Sequence, residues 1–219
     1  YYFPYVRSSF IMNQERIYIE KHGDKESYAG VCEDYNLGMT LIFFLTNISD
    51  YANTKWMNYS NHLITKAYMS GLSTSGKVIL DIEQLPPANR EHKCSSVNRN
   101  KLIEAARQGD RSAMESLTLD DMDIYTQVSR RAHYEDILSI VETNFMPYGI
   151  ETEHYSIIGN ILDCSLCEND YTKEPVYLLN VETNEMLMAI AINEKDLLGT
   201  PAPGRRFKGE IWLQGNVIF

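Results

Sequence analysis

Three cations, Arg205, Arg206 and Lys208, stand close together in a glycine-bounded segment near the end of the chain. Trp212 and Gln214 follow at alternate positions of a strand-like pattern. Arginine offers a planar fork of donors that fits a phosphate or a carboxylate, so these five residues form a candidate anion-binding site. The alternative is that the same cations pair with acidic side chains of the protein itself.

A second motif, Gly71-Leu72-Ser73-Thr74-Ser75-Gly76-Lys77, has the spacing G-x-x-x-x-G-K of a phosphate-binding loop. Val78 follows it, whereas a phosphate-binding loop needs Ser or Thr there to hold magnesium and then a helix. The run Val78-Ile79-Leu80 predicts a strand instead. We therefore expect a simple connection between two strands, Leu63 to Ser70 and Lys77 to Glu83, and keep nucleotide binding as the weaker alternative.

Cys164 and Cys167 form a lone C-x-x-C. A zinc site needs two further ligands at compact spacing, and His92 and Cys94 are separated from this pair by roughly seventy residues. Their surroundings also lack the signature of the zinc deaminases. Structural or surface cysteines are therefore expected, so no metal site and no cofactor is predicted; a metal site and, after it, redox chemistry are the weaker alternatives.

Asp120, Asp121 and Asp123 could ligate a hard cation, but the twelve-residue loop and closing Glu of an EF-hand are missing. Carboxylates near the start of a helix are the favoured explanation. The histidines do not form a local triad or a His-x-x-x-His pair, and no nucleophile signature accompanies them. The catalytic residues therefore stay unknown. The five histidines are His22, His62, His92, His133 and His154.

Composition and charge favour an ordinary globular protein. The 219 residues are 44% hydrophobic and 23% charged, with a formal net charge of -10. Residues 112–196 carry 4 basic against 17 acidic residues, a field that repels nucleic acid and anionic lipid. Only the basic segment from Arg90 to Arg111 favours nucleic acid, so that partner is not expected.

Localisation is predicted from what the chain lacks. The most apolar run, Met39 to Leu45, is far shorter than the roughly 20 residues of a membrane-spanning helix. No signal segment opens the chain, although its start at Tyr1 indicates a fragment or a processed protein. Four cysteines are too few for a disulfide scaffold. We expect a cytoplasmic protein without membrane contact.

The alternation of apolar residues predicts an α+β fold with two regions. Residues 1–88 form a strand-rich N-terminal region that is truncated upstream and ends at the prolines of Leu85 to Ala88. Residues 89–219 combine a helical segment with a C-terminal β region that is barrel-like or half-open. Helices are expected from Asp50 to Tyr59, Lys101 to Gln108 and Asp110 to Leu117, with another starting at Thr118. The strands expected in the N-terminal region cover Ile17 to Ile19, Ser27 to Cys32 and Met39 to Leu45; those of the C-terminal region cover Ile137 to Phe145, Tyr155 to Cys164, Val176 to Val181, Met186 to Ile192 and Phe207 to Phe219.

Tyrosine is abundant, with 15 residues, and three of them open the chain in Tyr1-Tyr2-Phe3-Pro4-Tyr5. Tyrosine is enriched at binding interfaces because it buries area and keeps a polar tip. The alternative is that this opening is part of a core strand.

Three segments resemble an uncharacterised family of clostridial, largely gut-dwelling bacteria. They are Ser116 to Asp123, Phe145 to Glu151, and Asp196 to Gly199 continuing through Gly204 to Gly215. The resemblance implies a bacterial cytoplasmic protein whose relatives extend further upstream. It implies no activity, cofactor or catalytic residue.

These features lead to two hypotheses of function. The first is a non-enzymatic binding or protein-interaction module, because no complete catalytic or cofactor signature is present. The second is an enzyme acting on an anionic small molecule held by Arg205, Arg206 and Lys208, with acid or base supplied from elsewhere in the chain. The ligand or protein partner and the oligomeric state are not determined by the sequence.

Overall fold

A computed structural model describes residues 3–80 and 101–218, except for 15, 24–26, 35–36, 57–63, 104, 107 and 135. The α+β prediction is confirmed, with strands predominating. The strands are β1 (Ile11–Asn13), β2 (Ile17–Lys21), β3 (Tyr28–Asp34), β4 (Met39–Leu45), β5 (Lys66–Ile79), β6 (Asn144–Pro147), β7 (His154–Glu168), β8 (Pro175–Thr183), β9 (Met186–Asn193), β10 (Leu197–Leu198) and β11 (Arg206–Ile218). The helices are α1 (Ile48–Trp56), α2 (Arg111–Arg131) and α3 (Ile137–Ile140), and a 3-10 turn covers Glu194–Asp196.

Five strands close into a barrel in the order β5-β9-β8-β7-β11 and back to β5. The β5–β9 pair is parallel and the other four pairs are antiparallel. Asn184 and Glu185, with φ of 46° and 67°, make the tight turn of the β8–β9 hairpin. Closure removes the free edges that an open sheet would present.

The long strands β5 and β11 continue past the rim of this barrel. There β11 pairs with β4, and β3 and β2 follow in order. The backbone N–H groups of Gln14 and Ile17 donate to the carbonyls of Thr65 and Ile64, each over 2.7 Å, which brings this outer sheet back to the start of β5. One hydrophobic core fills both parts, from Ile17 and Leu41 at one end to Ile192 at the other.

The chain divides into two compact units, residues 1–81 with 143–219, and residues 82–142. The sequence-based division placed the C-terminal strands with the helical segment. In the structure those strands instead share a sheet with the strands of residues 1–81, because β11 pairs with both β5 and β4. The expected boundary around residue 88 lies outside the described residues.

The second unit contains α2. Asp110 caps it, since its carboxylate accepts from the backbone N–H of Ser112 over 2.9 Å. The prediction of a new helix at Thr118 is wrong: the Thr118 hydroxyl donates to the carbonyl of Met114 one turn back, and α2 runs on unbroken. Residues 101–103 and 105–106 are also helical, as expected.

The predicted strand from Ile137 to Phe145 is wrong in its first half. Asp136 accepts a hydrogen bond from the backbone N–H of Leu138 and starts the short helix α3. The strand, β6, begins only at Asn144. A short run of apolar residues is compatible with either a helix or a strand. Here the capping side chain of Asp136 favours the helix.

Two aromatic rings fill the core at positions where neighbouring strands carry glycine. A Cβ atom on Gly30 or Gly215 would lie 2.1 or 2.3 Å from the ring of Phe43, which is fully buried. At the other end of the core a Cβ on Gly76 or Gly209 would lie 2.5 Å from the ring of Phe207. These glycines are therefore packing positions rather than loop positions.

Candidate functional site

A cavity of about 570 Å³ lies in the first unit. Its walls are the N-terminal segment of residues 3–8 and the outer face of β5 and β11, with Thr46 from the chain after β4. This volume falls within the range of small-molecule sites in proteins. The lining residues are Phe3, Tyr5, Val6, Arg7, Ser8, Thr46, Tyr68, Ser70 and Asn216.

The floor of this cavity is built by strand alternation. Leu213 and Val217 of β11 point into the core, so Gln214 and Asn216 lie on the opposite, outer face. Across the β5–β11 ladder, Asn216 pairs with Tyr68 and Gln214 pairs with Ser70. Two polar cross-strand pairs thus stand side by side on the outside of the barrel.

The N-terminal segment is held over this floor by a few contacts. Phe3 packs on Phe44 with ring centroids 5.0 Å apart, and Phe44 packs on Trp212 at 4.9 Å. The Gln214 side chain donates from Nε2 to the carbonyl of Pro4 over 2.8 Å. The segment therefore forms a wall through one aromatic row and one amide contact.

Gln214 is fully buried, and its Oε1 atom has no hydrogen-bond partner among the described residues. A buried acceptor left without a donor costs roughly 1–3 kcal/mol. Gln214 pairs with the lining residue Ser70 across the ladder. Its Nε2 atom donates to Pro4, which stands in the chain between the lining residues Phe3 and Tyr5. The contact that holds the N-terminal segment at Pro4 thus leaves one buried acceptor unsatisfied.

The five residues of the predicted anion site do not lie together. Arg206 and Gln214 stand eight residues apart on one strand, about 27 Å for an extended chain. The buried Arg206 donates from Nε to the carbonyl of Leu80 over 3.0 Å, and Arg205 donates from Nη1 to the carbonyl of Thr200 over 2.7 Å. Trp212 contributes to the aromatic row, and Gln214 holds the N-terminal segment through the carbonyl of Pro4.

Lys208 is the residue of this set that has another cation directly opposite it in the sheet. It pairs across the ladder with Lys77 of β5, on the outer face. Neither lysine forms an ion pair with a carboxylate of the described residues within 4.0 Å. The nearest acidic position on β11, Glu210, accepts a hydrogen bond from Tyr148, which raises the pKa of that tyrosine.

The motif from Gly71 to Lys77 is part of one continuous strand, β5, so the expected inter-strand connection is wrong. Gly71 faces Ile211 and Gly76 faces Phe207, which gives both glycines a packing role. The Ser73 hydroxyl donates to the carbonyls of Ser75 and Glu210 where the β5–β11 register shifts, and so bridges a bulge. Backbone N–H groups committed to two ladders cannot cradle a phosphate.

The C-x-x-C residues lie on β7, where positions three apart point to opposite faces. Cys164 contacts the carbonyl of Pro201 and Cys167 contacts that of Val176. His92 and Cys94 lie outside the described residues. Of the acidic group, Asp121 is exposed on α2 near its middle, away from the helix start where the sequence placed it.

A polar cluster that the sequence did not reveal joins the β2–β3 hairpin to the start of β7. His22 Nε2 lies 2.6 Å from Glu153 Oε1, and His22 Nδ1 lies 3.4 Å from the Ser27 hydroxyl. Ser27, His22 and Glu153 thus follow one another in the order of a nucleophile, a base and an orienting acid. The long Ser27 contact joins the two flanks of one hairpin, and none of the three residues lines the cavity described above.

Burial perturbs two groups near this cluster. Desolvation, with the nearby Asp34, raises the pKa of the Cys32 thiol from 9.0 to about 12. Burial also raises the pKa of Tyr155, whose hydroxyl accepts from the Ile42 N–H and donates to the Ile42 carbonyl. Both side chains are buried in the core. The Cys32 thiol stays protonated there, and a protonated thiol is a poor nucleophile.

The fold and the cavity define a strand-rich α+β protein with a closed barrel and a tyrosine-lined cleft on its outside. The chain belongs to DUF3881, described as "Domain of unknown function, E. rectale Gene description", whose family model matches residues 1–215. The predicted resemblance to an uncharacterised clostridial family is thereby confirmed. Neither the curated proteins nor the solved structures gave a match. No helix among the described residues is long and apolar enough to cross a membrane.

Sequence reasoning missed Tyr68, Ser70 and Asn216 of the cleft. The available signal was the polar residue at every second position of two long strands, opposite core residues such as Met69 and Val217. It did find the tyrosine-rich opening of the chain, and Tyr5 lines the cleft. The sequence did not indicate which strands would lie side by side.

Proposed function

We propose that the protein is a non-enzymatic bacterial binding module of the cytoplasm whose ligand occupies the cleft under residues 3–8. The cavity of about 570 Å³ carries this proposal. Tyr5 and Tyr68 supply broad apolar faces with polar tips, a combination common where proteins bind partners. The unpartnered Gln214 carbonyl beneath residues 3–8 adds support, because a shift of that segment on ligand binding that brings a donor to it recovers the energy lost there.

A fragment screen followed by ¹H–¹⁵N spectra of the amide groups tests the proposal. Binding of a metabolite-like fragment is expected to shift the signals of residues 3–8, 68–70 and 214–216. Asn216→Trp should abolish these shifts, since Asn216 is an exposed lining residue that a large ring replaces without disturbing the core. Ser165→Trp on β7, exposed and outside the lining, is the matched control. Fragments that bind Asn216→Trp unchanged would count against the cleft.

The alternative function is an enzyme acting on an anionic small molecule held by Arg205, Arg206 and Lys208. The observation in its favour is the Lys77–Lys208 pair, because like charges directly opposite on a sheet are destabilising unless an anion neutralises them. Citrate or inorganic phosphate should then stabilise the protein against heat, and Lys77→Gln with Lys208→Gln should remove that stabilisation. Equal stabilisation of the double variant would reject this site.

A further inference from the structure

We infer that the ligand of the cleft is a small organic anion that carries a flat ring. The inference rests on the proposed function and adds the chemical class of the ligand. Three features of the lining support it: its charge, its aromatic faces and its unused polar groups.

The charge of the lining is opposite to that of the protein. The chain has 30 acidic against 20 basic residues, yet the cleft is lined by one arginine and by no aspartate or glutamate among the described residues. Arg7 is exposed and forms no ion pair with a described carboxylate. Its guanidinium fork fits a carboxylate or a phosphate, so the cleft attracts an anion although the net charge of the protein, -10, is negative.

The aromatic lining favours a flat ligand. Tyr5 and Tyr68 border the cleft together with Phe3, and Tyr5 is 56% exposed. Rings of this kind associate with another ring by offset stacking or by edge-to-face contact. The cleft therefore has a place for a planar group next to the place for a negative charge.

Ser70 and Asn216 are among the polar side chains of the lining that can recognise the ligand. The Thr46 hydroxyl already donates to the carbonyl of Gly215, and the Ser8 hydroxyl accepts from the N–H of Phe10. Ser70 and Asn216 have no hydrogen bond to any described side chain or backbone group through their side chains. Ser70 is buried beneath the cleft, so its hydroxyl is available to an acceptor that enters.

Benzoate and benzamide are the probes, because they share a ring and differ in charge. Their dissociation constants would be measured by titration of the ¹⁵N-labelled protein. Benzoate should bind about three- to five-fold more tightly than benzamide, the contribution of one exposed ion pair, and the difference should shrink in 0.5 M NaCl. Cyclohexanecarboxylate should bind more weakly than benzoate because it lacks the flat ring.

Arg7→Gln is expected to bring benzoate down to the affinity of benzamide, while Arg16→Gln, an exposed arginine lying over the Tyr18 ring, should keep the preference. Equal binding of benzoate and benzamide by the wild type, abolished for both by Asn216→Trp, overturns the anion inference and leaves the proposed function standing. Equal binding of benzoate and cyclohexanecarboxylate overturns the part concerning the ring. Absence of binding by every probe overturns the inference and leaves the proposed function to the fragment screen. Binding of the probes that is unaffected by Asn216→Trp overturns both.

Discussion

The ring of Phe43 covers Gly30, its direct partner across the β3–β4 ladder, so closely that a Cβ atom on Gly30 would lie 2.1 Å from Cζ of the ring. The same ring also covers Gly215 of β11. Phe43 thereby joins β3, β4 and β11 at the point where the outer sheet leaves the barrel.

Gly30→Ala is predicted to lower the free energy of unfolding by about 1–3 kcal/mol, since a methyl group cannot enter a filled core without displacing the ring. Urea denaturation measures this change. Thr40→Ala on the exposed side of β4 is the control and should stay within about 0.5 kcal/mol of the wild type. In the background of Phe43→Leu, Gly30→Ala should cost less than in the wild type; an equal cost in both backgrounds would show that the two residues are not coupled.

Arg206 and Arg205 are predicted to differ although they are neighbours. Arg206 is 4% exposed and bonded to the carbonyl of Leu80, so Arg206→Ala should destabilise the protein by about 1.5–3 kcal/mol. Arg205 is half-exposed, and Arg205→Ala should cost less than about 1 kcal/mol. Thermal and urea unfolding measure both. A larger loss for Arg205→Ala than for Arg206→Ala would contradict the structural assignment of Arg206.

The raised pKa of Cys32 predicts a loss of stability at high pH. The folded thiol keeps its proton up to about pH 12, whereas the unfolded thiol releases it near its ordinary pKa of 9.0. The contribution is fully present below pH 9 and falls as pH rises from 9 towards 12, by about 1 kcal/mol per pH unit.

The measurement is urea unfolding at pH 8, 9 and 10 for the wild type and Cys32→Ala. The variant should be less stable at pH 8 but should lose less stability between pH 9 and 10. Tyr155, whose pKa is raised first of all by burial, is present in both proteins, so the burial part of its contribution cancels; the smaller part that comes from the Cys32 charge is lost in the variant. Parallel pH dependences would show that Cys32 is not protected from ionisation.

The contact between His22 and Glu153 predicts a coupling between the β2–β3 hairpin and β7. A double-mutant cycle of His22→Ala and Glu153→Gln should give a coupling of about 0.5–1 kcal/mol, a modest value because His22 is partly exposed. Ser27→Ala should change stability little, as its contact with His22 is 3.4 Å long. If Ser27 were a nucleophile, a fluorophosphonate probe would label the wild type and fail to label Ser27→Ala.

Local pattern was enough for most individual strands. Met186 to Ile192 is an apolar run after a turn, and the structure has β9 at Met186–Asn193. The prediction failed where a contact distant in sequence decides the conformation. The segment from Gly71 to Gly76 has the composition of a loop, but Ile211 and Phe207 from β11 fill the space above its glycines and keep it extended.

The candidate sites show the same limit. The sequence placed Arg205, Arg206, Lys208, Trp212 and Gln214 in one site because they are close in the chain. The four of them that lie on β11 share its outer face, but Arg206 and Gln214 stand about 27 Å apart along the extended strand. Of these residues only Gln214 lies beside the cleft, as the partner of Ser70.

The sequence by itself determined the α+β class, the family, the acidic character and the approximate positions of most strands, because these depend on composition, motif and local periodicity. Only the tertiary structure decided that β5 closes the barrel with the C-terminal strands, that the glycines of β5 lie beneath Phe207 and Ile211, and that the N-terminal segment covers the outer face of β5 and β11. The physical reason is that strand pairing joins residues more than a hundred positions apart, and no local pattern specifies which backbone edge will meet which.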